Sequence, residues 1–254
     1  GYHHGESSLQ GAIVNMGQDF VGSNNINLLE PIGQFGSRIL GGKDSAQPRY
    51  IHTKIPDIIP NVYKAEDNNI LEYVDDDGFL VEPYFYVPII PMILVNGGEG
   101  IGTGWSTYIP SYNPLDIISN LKLLLKGLGK KQGKFNRLDL DEIELNELVP
   151  WYRGFTGEIV KHSQNSYISY GKYQQTNKSQ VEITELPLRM WTDKYKEVLE
   201  SLLIETGKEK KSKNQVIRNY SSQSSDTKVN FTLTFASEKL DSLLENQTRN
   251  KDGQ

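Results

Sequence analysis

Arg49 and Tyr50 stand side by side after a polar, glycine-rich approach that reads Gly41-Gly42-Lys43-Asp44-Ser45-Ala46-Gln47-Pro48. The pair sets a phenolic oxygen, able to form a phosphate ester, beside a guanidinium, whose fork of charged donors grips phosphate oxygens. A phenol is largely protonated at neutral pH and attacks well only with help from a neighbouring cation or base. In-line attack on a phosphodiester spreads charge over the equatorial oxygens, which is where Arg49 would act. Alone, such a dipeptide is most often a half-buried ring beside a solvated cation, so its neighbourhood must decide.

Other residues in the chain suit the same chemistry. His3 and His4 precede a stretch in which Leu9, Ile13, Met16 and Phe20 recur at helical spacing, with Ser7 and Gln10 patterned as a capping box. Unpaired amides at a helix start favour anions, and histidine carries a proton near neutral pH, so a phosphate beside His4, with His3 as partner, is chemically reasonable. Lys43, Asn24 and Asn25 have donors for backbone phosphates, although turn and cap roles account for the two asparagines nearly as well. Ile101 lies between Gly100 and Gly102, where small neighbours let the backbone approach a partner and leave one apolar side chain projecting. A projecting wedge of this kind unstacks a base step, while a buried isoleucine in a glycine turn is the plainer alternative.

These residues need elements to position them. A helix ends near Asn24-Asn25, a glycine-rich stretch over 33–42 suggests a hairpin or wing, and Ile70 to Val74 pairs with Phe79 to Glu82 through Asp76-Asp77-Gly78. The glycines of 96–104 mark a tight excursion near the border of a second unit, and Asn113-Pro114 opens a helix through Ile117, Leu121 and Leu124. Strands are expected near Gly157 to Lys161, Tyr167 to Tyr170, Val181 to Glu185 and Val229 to Phe235, with helices starting near Thr192 and Ser237. The reading is a mixed α+β chain whose first part suggests a winged helix built on a helix-turn-helix.

In order and spacing, Tyr2-His3-His4-Gly5-Glu6, Pro31-Ile32-Gly33-Gln34-Phe35-Gly36, the Arg49-Tyr50 segment, Ile89-Ile90-Pro91-Met92, and Asn96 to Ser106 resemble the breakage-reunion region of eukaryotic type IIA DNA topoisomerases. The similarity continues through Val181 to Thr192. The resemblance implies residues 1–88 as the C-terminal part of a winged-helix domain carrying the tyrosine, 89–247 as a tower domain with a DNA-wedge loop, and 248–254 as a tail toward a coiled-coil gate. It maps the catalytic pair onto Arg49 and Tyr50, gives Tyr50 a phosphotyrosyl link to the 5′ end of a cut strand, and makes Ile101 the wedge. It further implies double-stranded DNA as partner, a homodimer, a nuclear location, and dependence on Mg²⁺ and ATP bound outside this chain. Without those metal carboxylates, the isolated chain is expected not to cleave efficiently. The alternatives are a non-catalytic DNA-bending module, or a fragment of a bacterial-type gyrase or topoisomerase IV; His3-His4 and Ile89-Ile90-Pro91-Met92 fit the eukaryotic branch better.

Composition narrows the field further. With 254 residues, 37% of them hydrophobic, the chain has material for one sizeable core or two smaller ones. No cysteine is present, which removes disulfides, thiolate metal sites and cysteine nucleophiles. A net charge of -5 opposes phosphate binding overall. Basic stretches occur at Lys122, Lys126, Lys130, Lys131 and Lys134, and again at Lys208, Lys210, Lys211 and Lys213. No signal peptide or membrane-length apolar run is expected, since Pro88 and Pro91 break the longest candidate. Gly36 to Lys43 imitates a phosphate-binding loop but ends in Asp44 rather than Ser or Thr after the lysine, and Gly98 to Gly104 lacks dinucleotide spacing. Asp75-Asp76-Asp77 reads as a hydrated turn and not a metal site.

Overall fold

The computed structural model describes residues 2–129, 143–204, 215–236 and 240–244. Its α+β fold forms two compact units: Gly1–Asp19, Ser23–Phe35 and Ala46–Arg153 make the first, and Phe20–Gly22, Gly36–Ser45 and Gly154–Gln254 the second. Contacts thin out at 153/154, and the segments before and after 88/89 fall in one unit. The reason is packing: Ile90, Val95 and Ile117 share one small core with Ile26, Leu121 and Leu148, which ties the segments on both sides of 88/89 together.

In the first unit, α1 spans Glu6–Gly17 and opens on Gly5, with no side-chain cap. The expected capping box is thus absent. Gln10 Nε2 instead donates to Glu6 Oε1 at 2.9 Å, one turn back, and the carboxylate of Glu6 faces the positive end of the helix dipole. The helix stops before Phe20 because Gly17 lies against the buried ring of Phe35; a Cβ there would sit 2.7 Å from Phe35 Cδ1. Next come a single 3-10 turn at Pro48–Tyr50, the one-turn α2 (Ile59–Val62), and a 3-10 segment at Ala65–Ile70. The hairpin of β1 (Tyr73–Asp76) and β2 (Phe79–Pro83) turns at Asp77 and Gly78, both with positive φ as a type I′ turn requires. Short α3 (Met92–Asn96) leads to a second hairpin, β3 (Gly98–Gly102) with β4 (Trp105–Ile109), and then to α4 (Pro114–Gly129). Asn113 caps α4 through Oδ1, which accepts from the Leu115 amide at 3.0 Å.

The second unit carries the larger core. Hairpin β5 (Glu158–Ser163) and β6 (Ser166–Tyr170) precedes an antiparallel four-stranded sheet. Its strands are β7 (Lys172–Asn177), β8 (Gln180–Glu185), β9 (Ile217–Ser222) and β10 (Phe231–Phe235), in the order β7-β8-β10-β9. Strict alternation in β10 buries Phe231, Leu233 and Phe235 together with Val181, Ile217 and Leu199 of α5 (Thr192–Leu202). Tyr195 of α5 meets Phe231 edge-on at 5.2 Å, and burial there pushes its hydroxyl up to about 12. The start of the helix expected near Ser237, the tail at 248–254, Lys130, Lys131 and Lys134, and the second basic stretch lie outside the described residues.

The stretch expected to form a hairpin or wing at 33–42 has no paired strands. Residues 36–44 close into a loop instead. Asp44 accepts from both the amide and the hydroxyl of Ser37, the Ser37 hydroxyl accepts from the Ile39 amide at 3.1 Å, and Gly42 N–H donates to the Ser37 carbonyl at 2.9 Å. Gly36 needs its positive φ and its lack of a side chain, because a Cβ would overlap the backbone of Gly42.

Candidate nucleic-acid interface

Pro48 fixes the first φ of the turn that presents Tyr50, and the Tyr50 amide closes it on the Gln47 carbonyl at 2.9 Å. Backbone bonds clip this turn at both ends. Ala46 N–H donates to the Gln34 carbonyl at 2.9 Å before it; after it, Ile32 and His52 exchange bonds of 3.2 and 3.0 Å, and Glu30 N–H donates to the Lys54 carbonyl at 2.9 Å. Gly33 is required between these clips, since its φ is +107° and a Cβ would press on Ile51 Cγ2 at 2.8 Å. The outcome is a short rigid turn whose tyrosine ring is 67% exposed. Arg49 lies over that ring, its Cζ 4.8 Å from the centroid, so the guanidinium is held beside the phenol while keeping its planar donor edge for other partners.

His3 and His4 are exposed ahead of α1, as expected. Among the described residues their contacts run to Asp76, whose Oδ2 lies 3.8 Å from His3 Nε2, and to Tyr2, whose ring meets His4 edge-on at 5.5 Å. Neither contact joins them to Tyr50.

Ile101 sits one residue before the end of β3, opposite Ser106, and is 87% exposed. Glycines flank it on both sides, so no side chain on β3 next to it shields the isoleucine. Trp105, opposite Gly102, is 86% exposed and by strand alternation faces the other way. In the second unit Lys43 is exposed beside Asp44 on the closed loop.

The two asparagines serve the fold. Asn24 Nδ2 donates to the carbonyls of Asn15 and Gln18 at 2.7 and 2.9 Å, capping the last turn of α1. Asn25 is buried; its amide donates to Val95, Tyr112 and Trp151 carbonyls at 2.9, 3.2 and 3.0 Å, while its Oδ1 accepts from the Arg153 amide at 2.8 Å. The amide of Asn25 is thus engaged on every side within the fold, and that of Asn24 serves the turn, the role the sequence offers both residues as the alternative.

A family model for DNA gyrase/topoisomerase IV, specifically its A subunit, matches residues 1–252. The chain belongs to this topoisomerase family. Among its topoisomerase relatives, it is 45% identical over 240 residues to DNA topoisomerase 2 of Caenorhabditis elegans, covering 94% of this chain and 14% of that protein. It is 44% identical over 240 residues to DNA topoisomerase 2-beta of Homo sapiens, again 94% of this chain and 14% of that one. The fold is similar to a crystal structure of the Plasmodium falciparum topoisomerase II DNA-binding, cleavage and re-ligation domain, with a TM-score of 0.85 and 44% identity over 96% of this chain and 31% of that one. These relatives place the chain with the eukaryotic topoisomerase 2 branch. It spans about a seventh of the length of such a topoisomerase, by the 14% of each relative that it matches.

Sequence reading did not single out the charged pair inside the second unit of this topoisomerase segment. Arg38 and Glu185 form a buried ion pair, and Glu185 also accepts from the Leu186 amide at 3.0 Å and from the Thr156 amide and hydroxyl at 3.2 Å each. A carboxylate closing an apolar strand was the available signal, since such a group goes inside only when paired.

Proposed function

We propose that the chain is the part of a eukaryotic DNA topoisomerase II that binds and bends a duplex and supplies the tyrosine for its transient cleavage, within a winged-helix and tower arrangement. The observation that carries this is the exposed Tyr50 on a clipped turn with the Arg49 guanidinium beside its ring. In this reading Tyr50 Oη bonds to the phosphorus of a DNA phosphodiester and the bond from phosphorus to the 3′ oxygen breaks. The phenolic proton passes to solvent, and the departing oxygen takes up a proton from His4. Arg49 donates to the equatorial oxygens as their charge redistributes, and rejoining reverses each transfer, so the ester exchange consumes no outside energy. His3 and Lys43 hold neighbouring phosphates.

Mg²⁺, when bound, polarises a scissile phosphate and its leaving oxygen. Among the described residues no group of three His, Cys, Asp or Glu is placed to hold a metal. On this reading both Mg²⁺ and ATP bind elsewhere in a nuclear homodimer, whose paired tyrosines cut opposite strands. Among the described residues no helix is long and apolar enough to cross a membrane.

The test is to trap the full-length protein on supercoiled DNA with Mg²⁺ by rapid denaturation, digest it, and map the modified peptide by mass. The nucleotide adduct is expected on Tyr50, and an adduct on any other residue would overturn the assignment. The wedge has its own readout. Ile101→Ala is expected to reduce duplex bending measured by energy transfer between end-labelled dyes, because the unstacking contact is lost while the hairpin backbone stays paired. Unchanged bending would leave Ile101 without that role.

A further inference from the structure

The second unit holds a cavity of about 410 Å³, bordered by Arg38, by Glu185 at the end of β8 and by the loop that joins β9 to β10. Its volume falls in the range of small-molecule sites, roughly 300–1,000 Å³. The Arg38 side chain is 8% exposed, and its Nη2 donates to Glu185 Oε1. That bond uses only part of a guanidinium's fork of donors. Among the described residues Nε and Nη1 make no hydrogen bond, yet no buried side-chain nitrogen there lacks a partner, so these donors open onto the cavity. The loop across from them is fixed from within. Gln223 N–H donates to the Asn230 carbonyl at 2.9 Å and Ser225 N–H to the Lys228 carbonyl at 2.8 Å, while the Lys228 and Asn230 amides donate to the hydroxyls of Ser225 and Ser224 at 3.2 and 3.0 Å. It carries Thr227 and Lys228 to the cavity.

The charged groups that line this space are Arg38, Glu185 and Lys228, which leaves one positive charge in excess. Glu185 is committed to Arg38 and to the amides of Leu186 and Thr156, so its carboxylate is held in place rather than turned on a ligand. A guanidinium edge and a separate ammonium suit an anion that accepts from several directions, as a tetrahedral phosphate does and a planar carboxylate does less well. The cavity has room beyond a phosphate head, and Thr184, Gln223 and Thr227 line it with hydroxyls and an amide. We propose that it binds a small phosphate ester with a hydroxylated body, the phosphate held between Arg38 and Lys228.

The experiment is amide hydrogen exchange of the full-length protein, read by mass on peptides that span 223–230, with millimolar ribose 5-phosphate, inorganic phosphate or ribose. A ligand that binds the folded loop slows its opening, and the peptide reading confines the effect to this site. Ribose 5-phosphate is expected to slow exchange there several-fold, inorganic phosphate less, and ribose not at all. Lys228 is exposed, so Lys228→Gln removes the ammonium without disturbing a core; it is expected to abolish the protection, and Lys228→Arg to keep it. Exchange unchanged by both ribose 5-phosphate and inorganic phosphate would overturn the proposal. So would protection by ribose equal to that by its phosphate, or protection that survives Lys228→Gln. Protection by a short DNA duplex and not by ribose 5-phosphate would also overturn it, and would assign the cavity to a nucleic-acid backbone.

Discussion

Tyr50→Phe in the full-length protein is expected to abolish covalent protein–DNA adducts while leaving duplex affinity within about twofold, since a solvent-facing change of one atom is energetically small. The substitution removes a single oxygen from an exposed ring, so no core is disturbed and no buried partner is left unsatisfied. The turn keeps its shape because its bonds are all backbone, and Arg49 keeps a ring to rest on. Only the bond to phosphorus becomes impossible. Detergent-trapped complexes on supercoiled plasmid, counted beside binding measured by anisotropy, separate the two effects. Adducts that persist in the variant would take the nucleophile away from Tyr50. A wild-type protein that bends DNA yet never yields an adduct would favour the non-catalytic bending module.

The second large effect concerns stability. Glu185→Gln leaves the Arg38 charge buried without its counterion, and breaking a buried pair from one side costs on the order of 3–5 kcal/mol. For a unit of about a hundred residues this corresponds to a fall in melting temperature of roughly 10–20 °C. Combining it with Arg38→Met is expected to recover part of the loss, because no uncompensated charge then remains inside and the glutamine oxygen still accepts from the Thr156 or Leu186 amide. Calorimetry of the four proteins in the cycle checks this. A single variant within about 1 kcal/mol of wild type would show that the pair carries little of the stability, as exposed pairs do.

Legibility from sequence followed the range of the interactions involved. Asn113-Pro114 announced α4 and Asp77-Gly78 announced the first hairpin because both signals are complete within a few residues, and the structure uses them as read. Strand β10 was visible in its alternating apolar residues. Strand β7, Lys172–Asn177, is exposed along its whole length and has no apolar face to betray it; its strand character comes from pairing with β8. The loop at 36–44 misled because its glycines suggest a wing, whereas the side chain of Asp44 closes it on Ser37. At the candidate site, Arg49 and Tyr50 stood out in the sequence by their types and company. Their exposure, and that of Ile101, depends on which faces the first unit buries, which spacing alone does not reveal.

Asn25 imposes a restriction that neither an isosteric nor an apolar side chain relieves. Aspartate has the same outline, yet it would turn acceptor oxygens toward the carbonyls of Val95, Tyr112 and Trp151, where the amide now sends hydrogens. Leucine would fill the volume and strand all four backbone groups together. Slow hydrolysis of the amide would have the same consequence: exchanging ammonia for the oxygen of a water would set a carboxylate against those three carbonyls, where three chain segments of the first unit meet.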